Sequence, residues 1–412
     1  MASQKPDIPA TDPEALRSES STTDEKAPAD NFDAAPDGGF KAWLVAVGSA
    51  CTIFSTLGFA NSFGVLQEYY AVHQLQTESA DRIAWIGSLA AFLQFATGAI
   101  AGPLFDRFGA WVIRPAAVLY VFALMMTSLC TKYWQFMLAQ GVVYFDKKRA
   151  AALGLAVAGS SVGGVVFPIA LSKMINSSSL GFGWAMRIVG FIMVPMMAIS
   201  CLTVTARLPP RTTTFFIPGA FHQPLFDLLI LAMFFMILGM FTPLFFIPTY
   251  AVSRGMNATL ASYLIAITNG ASTFGRIIPG ILADRFGRIN AFGIGGLATG
   301  IIICCMNEAK SNAALIVFSV IFGFWSGTII SGGSAAITMV PKNPQEFGTY
   351  LGMGIALCGC AALVGPPISG ALVDRYGGFF EVSIFSGVMC LAGGIVALLS
   401  KTVTDKGLFG RV

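Results

Sequence analysis

The chain has 412 residues, 55% of them hydrophobic and only 11% charged, with a mean hydropathy of +0.72 and a net charge of +4. Ordinary soluble domains carry about 25% charge, so a water-solvated enzyme domain is excluded as the bulk of the chain, and no nucleic-acid partner is expected at so small a net charge. The charge is also divided: residues 1–36 hold Lys5, Arg17 and Lys26 against eight acidic residues, a net of −5 that leaves +9 for the rest.

That acidic segment is rich in Pro, Ser, Thr, Asp and Glu and has no apolar run able to offset the entropy of folding, which predicts a disordered tail. It lacks the basic start and apolar core of a cleaved secretory signal, so the first membrane helix is expected to direct insertion and leave the tail in the cytoplasm. Apolar stretches of bilayer-spanning length then follow at 43–66, 83–104, 112–130, 150–172, 183–206, 225–250, 261–282, 289–306, 312–338, 348–371 and 379–399. Between the third and fourth lies a shorter piece, Trp134 to Phe145, whose twelve residues reach about 18 Å as a helix, short of the hydrocarbon core.

Counting that piece as one crossing places thirteen basic residues, the cluster Lys147-Lys148-Arg149 among them, in inner connections and seven in outer ones. The positive-inside rule therefore puts both termini in the cytoplasm of a multi-pass protein, with the plasma membrane as the expected location. The sequons at Asn176 and Asn257 fall in loops assigned outside, which makes both asparagines glycosylation candidates. Eight cysteines and two histidines show no zinc-like spacing, so the cysteines are read as packing residues. There is no Walker loop and no H-E-x-x-H, and neither metal nor cofactor is expected; a gradient is left as the source of any driving force.

The chain repeats itself. Gly102-Pro-Leu-Phe-Asp106-Arg107-Phe-Gly109 recurs as Gly280-Ile-Leu-Ala-Asp284-Arg285-Phe-Gly287 at an offset of 178, and Tyr70 matches Tyr250 at 180. Further along, Gly154 pairs with Gly352 at 198, so the first half is shorter by about 20 residues, one membrane helix. Crossing count and offsets both locate the shortfall near Gly141-Val142-Val143-Tyr144. A deletion in the coding sequence and a natural short helix that thins the bilayer both account for it. The expected parts are a tail at 1–36, a helical bundle at 37–206 with a truncated fourth helix near 134–145, a linker at 207–224, a second bundle at 225–400 and a cytoplasmic tail at 401–412.

The doubled G-x-x-x-D-R-F-G resembles the signature loop of the major facilitator superfamily, found there after helices two and eight. The resemblance implies an all-α membrane fold of two six-helix bundles, here with eleven full-length transmembrane helices, and a loop that latches the halves in one state of alternating access. Glycines permit tight turns and close approach, while Asp106, Arg107, Asp284 and Arg285 can pair or cap helix ends. Within the superfamily the chain is most similar to the fungal branch of the monocarboxylate porters, through Asp37-Gly-Gly-Phe-Lys-Ala-Trp43 and Tyr144-Phe-Asp-Lys-Lys-Arg149.

Arg276 is the charge placed well inside a predicted span, where charges are costly and usually functional. By the family pattern an arginine on this helix binds the substrate's carboxylate through its fork of donors. The family's animal members also carry an aspartate four residues earlier and a lysine in helix one. Here Ser272 stands at the first position, and helix one offers Asn61 and Ser62. With Asn269 and Tyr70, these residues form a candidate polar lining, and proton coupling is left without the family's carboxylate. The expectation is a secondary transporter of a small organic anion or amphiphilic metabolite, with efflux of a fungal secondary metabolite among its directions. The alternative is a non-transporting sensor or inactive remnant, on account of the short fourth helix. A Phe-rich seventh crossing (Phe234, Phe235, Phe241, Phe245, Phe246) either suits a bulky apolar cargo or faces lipid.

Overall fold

The computed structural model describes residues 40–142, 153–176, 179–204, 216–341, 343, 346–404, 407 and 410, without the side chains of 41–42, 101–103, 105–106, 110, 142, 153–158 and 284. The acidic tail, the basic cluster at 147–149 and residues 207–215 of the expected linker lie outside these. Among the described residues every regular element is helical.

The first crossing is the most irregular. Trp43–Gln74 forms one apolar helical run of 32 residues, but it is assembled from α1 (Phe40–Ile53), a π-helical stretch at Phe54–Gly58, a turn at Asn61–Ser62, α2 (Phe63–Tyr69) and a second π stretch at Tyr70–Gln74. The turn closes through Ser62 N–H to Phe59 O at 2.9 Å, one residue tighter than α-helical pairing. The widened π stretch is accommodated from α6 (Leu153–Asn176): a Cβ on Gly163 would lie 2.5 Å from Phe54 O, so the glycine leaves room for that carbonyl. Ser55 O is satisfied by the Tyr120 hydroxyl at 2.8 Å.

After it come α3 (Ala80–Phe108), α4 (Ile113–Thr127), α5 (Tyr133–Phe136, continued as a π stretch over Met137–Val142), α7 (Gly181–Thr203), α8 (Pro224–Ser253), α9 (Ala258–Phe286), α10 (Arg288–Cys304), α11 (Asn312–Ile337), α12 (Phe347–Tyr376) and α13 (Phe380–Leu399). Among the described residues eight helical runs are long and apolar enough to cross a bilayer, and α4 adds a shorter apolar helix; α6 and α9, at 24 and 29 residues, have the length as well. The element at Tyr133–Val142 is pinned at its start, where Gln135 Oε1 accepts the N–H groups of Thr131 and Lys132 at 2.8 and 3.0 Å. Large apolar side chains such as Phe122, Phe191, Leu202, Ile281 and Ile301 are exposed around the helices. In water such a surface would be a liability; against acyl chains it is the favourable one.

In the later part of the chain α9 lies on α11, α10 on α11 and α13, and α8 on α13. In the earlier part α4 and α6 pack on α7. Two long seams join the parts, α3 along α12 and α6 along α9. The first seam is smooth: Gly352 faces Ala99, Gly359 faces Phe92 and Phe95, and Gly370 faces Asp81. Two segments expected as linker and tail are docked in part. Gln223 Nε2 bonds the Tyr350 hydroxyl at 3.0 Å. Beyond α13 a 3₁₀ turn (Ser400–Val403) buries Lys401, whose Nζ donates to Asn290 Oδ1 at 2.8 Å.

Candidate functional site

Three of the five candidate binding residues share α9. Asn269 is 4% exposed; its Nδ2 donates to Ile265 O at 3.0 Å, and its side chain packs on Gly164 of α6, where a Cβ would come within 2.7 Å of Asn269 Cγ. Ser272, 5% exposed, backs onto Gly327 of α11. This side of α9 is pressed hard against α11: a Cβ on Gly275 would lie 1.8 Å from Phe324 O, and Thr328 donates its hydroxyl to Gly275 O at 3.1 Å. Arg276 follows one turn after Ser272, and its Nε is enclosed without a hydrogen-bond partner. Close glycine-mediated packing on both sides of α9 thus sets a half-buried cation within the helix with one enclosed N–H unpaired.

The other two candidates sit elsewhere. Asn61 is half-buried at the break in the first crossing. Tyr70 is fully enclosed, donates its hydroxyl to Gln140 Oε1 at 2.9 Å, and packs on Phe136 and Phe182 at centroid distances of 4.5 and 5.6 Å. Its polar group is therefore spent on the element at Tyr133–Val142.

Aromatic side chains of three crossings meet where the earlier and later helices face each other. Phe63 lies 4.9 Å from Phe245, Phe95 lies 6.1 Å from Phe241, and Phe241 lies 5.8 Å from Phe245. Phe245 and Phe246 are buried, and Phe234, Phe235 and Phe241 are half-buried, so the phenylalanines of α8 serve the interior more than the lipid.

Glu68 was not among the charges expected inside a span, because the apolar stretch was bounded at residue 66. The helical run extends to Gln74 and leaves Glu68 6% exposed. It stands one turn beyond Gly64, whose missing Cβ would touch Leu244 O and Ile265 Cδ1, so it belongs to the face that α8 and α9 cover. A helical reading carried through the match of Tyr70 with Tyr250 would have included it. A buried hydroxyl chain was also unanticipated: Ser386 donates to Thr242 at 2.7 Å, Thr242 pairs with Ser369 at 2.7 Å, and Ser369 donates to Gly365 O at 3.1 Å.

Both signature loops end long helices in the same way. Gly109 follows α3 with φ of 61° and Gly287 follows α9 with φ of 99°, values that favour glycine. Arg107 and Arg285 are exposed, and Arg107 lies over the Phe108 ring at 5.4 Å. The side chains of Asp106 and Asp284 lie outside the described ones. Gly280 borders a cleft of 270 Å³ between α9, α10 and α11, which Arg288, Thr328 and Ser331 also line. Of the sequon residues, Asn257 is exposed and caps α9 by accepting the Thr259 N–H at 2.9 Å, while Asn176 is the exposed last residue of α6.

The family model described as Major Facilitator Superfamily matches residues 142–306 and 229–410. The aspyridones efflux protein of Emericella nidulans is 47% identical, over 96% of this chain and 84% of its own length. The agnestins efflux protein of Paecilomyces divaricatus is 35% identical, over 96% of this chain and 94% of its own. The fujikurins efflux protein of Gibberella fujikuroi is 36% identical, over 90% and 85%. Among solved structures, the nucleoside transporter NupG superposes with a TM-score of 0.69 at 11% identity, covering 88% of this chain and all of its own. A bacterial homologue of the lysosomal transporter Spinster gives 0.67 at 16% identity, over 88% and 97%.

Proposed function

Because the chain belongs to the major facilitator superfamily of transporters, we propose that it exports an acidic, amphiphilic secondary metabolite, with Arg276 as the contact for the anionic group. The observation that carries this reading is the enclosed Nε of Arg276, unpaired at the middle of a long helix. An enclosed guanidinium N–H left without a partner is costly, and a bound carboxylate or enolate facing the half-buried fork would satisfy it. The aromatic cluster of Phe63, Phe95, Phe241 and Phe245 supplies the apolar wall for the rest of the cargo. Relatives named as efflux proteins for aspyridones, agnestins and fujikurins support the direction. Nothing favours a sensor or an inactive remnant.

The working layout is two bundles, 37–206 and 225–400, with eleven full crossings and a short fourth, and with both termini in the cytoplasm beneath the plasma membrane. The monocarboxylate-porter subfamily is part of the same reading, as are the loops of Asp106-Arg107 and Asp284-Arg285 as the cytoplasmic latch. Tyr70 is engaged structurally, which leaves Asn61, Asn269 and Ser272 as neutral neighbours along the path. Proton coupling is assigned to Glu68, the enclosed carboxylate of the first crossing, in the absence of one at Ser272.

The test compares export of an acidic compound and its neutral methyl ester from a host lacking its own exporters. The wild type should export the acid in preference to the ester. Arg276→Ala should lower acid export about tenfold, the worth of a charge-assisted hydrogen bond, and leave ester export unchanged. Equal handling of acid and ester by the wild type would falsify the anionic-substrate reading. An acid flux that is the same in mildly acidic and mildly alkaline medium would remove Glu68 from the coupling role.

A further inference from the structure

The loop signature occurs a third time. Gly370-Ala-Leu-Val-Asp374-Arg375-Tyr376-Gly377 has the same G-x-x-x-D-R-aromatic-G pattern as the two loops already described. The structural ending is the same as well: α12 stops at Tyr376, and Gly377 takes φ of 66°, beside 61° at Gly109 and 99° at Gly287. The position differs. The first two copies close α3 and α9 at one face of the membrane, whereas the third closes α12 at the face where α3 begins.

There the third copy is engaged. Asp374 Oδ1 and Oδ2 accept the N–H groups of Ala80 and Asp81, each at 3.3 Å. These are the first two residues of α3, whose N–H groups have no partner within their own helix. Ser79, the residue in position to cap them, instead gives its hydroxyl to the Asp81 carboxylate. The capping carboxylate thus comes from the other half of the chain, favourably placed at the positive end of a 29-residue helix. The first glycine of the copy makes the approach feasible, since a Cβ on Gly370 would lie 2.6 Å from both Cα and N of Asp81. By contrast, a Cβ on Gly280, the same position in the second copy, would meet nothing within 4 Å. At this glycine the third copy is closely packed and the second is not.

We propose that Asp374 and Gly370 form an outer latch, a positioning device that holds α12 to the start of α3 when the carrier is closed on that face and releases when it opens. The proposal rests on the two-half transport reading and on the layout that places this face outside. Its test is hydrogen–deuterium exchange of the full chain in lipid nanodiscs, comparing wild type, Asp374→Asn, Asp374→Glu and Gly370→Ala. Asp374→Asn should speed exchange of segments 78–84 and 370–378 about tenfold, the consequence of weakening hydrogen bonds to a charged acceptor. It should also slow exchange at 107–113 and 284–290, because opening one face closes the other. Asp374→Glu should restore much of the wild-type pattern. If Asp374→Asn does not give folded protein, Gly370→Ala carries the test, with the same expected shifts. Unchanged exchange at 78–84, or faster exchange at both faces alike, overturns the latch. A wild type that exports nothing while Asp374→Asn still shifts the two faces in opposite senses would overturn the transport reading and leave the latch standing.

Discussion

The first crossing and α8 occupy equivalent places in the repeat, with Tyr70 matching Tyr250, yet they are built in opposite ways. The first contains no proline and is broken twice by π stretches and once by a turn. α8 contains Pro243 and Pro248 and runs unbroken for 30 residues. Proline alone therefore does not decide where a membrane helix bends; what the neighbours offer to the freed backbone does. The carbonyl that Pro248 leaves without its helical donor, Leu244 O, lies against Gly64 of the first crossing, and Thr242 is tied to α12 and α13 by the hydroxyl chain. At the depth of Thr242 the first crossing has Ser62, whose hydroxyl donates to Gly58 O of its own run at 3.4 Å. A rigid member thus faces a compliant one.

Paired substitutions can break or sharpen that contrast. The largest effect is expected from glycine contacts. Gly239→Ala would bring a Cβ to 2.1 Å from Ser386 O on the rigid side, whereas Gly163→Ala meets Phe54 O in the compliant stretch. Thermal unfolding in detergent should show a loss of about 3 kcal/mol for the first and nearer 1 kcal/mol for the second, the two ends of the overpacking range. Equal losses would mean that the π stretch does not yield. Next, Thr242→Val strands the Ser386 hydroxyl and should cost about 2 kcal/mol, while Ser62→Ala should cost roughly 0.5 kcal/mol; a larger loss at Ser62 would reverse the assignment of rigid and compliant. The smallest difference is expected between the matched tyrosines. Tyr70→Phe leaves the buried Gln140 Oε1 without its donor and should cost about 1.5 kcal/mol. Tyr250→Phe gives up bonds of 3.2 and 3.4 Å to Met306 O and Ala309 O and should cost about 0.5 kcal/mol.

Much of this was legible before any coordinates. Hydropathy marks helices of spanning length, the two signature loops mark the family, and Arg276 stands out as a candidate because charge is rare in such a chain. The interior of the first crossing was not legible: Ser, Thr, Gly and Asn at 55–62 lower hydropathy too little to show a break, and the glycines that permit it lie a hundred residues away on α6. Glu68 was hidden by the same smooth profile, which fades before the helix ends. Asp374 escaped because its signature falls outside the half-chain offset and carries Tyr376 where the other copies have phenylalanine. The inward orientation of the α8 phenylalanines needed the partners supplied by α2 and α3.

The seam between α3 and α12 has a kinetic consequence. Gly352, Gly359 and Gly370 present bare backbone to α3 along its length, so there are few interlocked side chains whose rotamers must change before one helix can slide past the other. Such a rail offers little friction in either direction. On this seam the proposed latch, the pair of hydrogen bonds at Asp374, then acts as a detent at the end of travel. The proposed latch therefore predicts a turnover that responds to how firmly this stop grips more than to the passage along the rail.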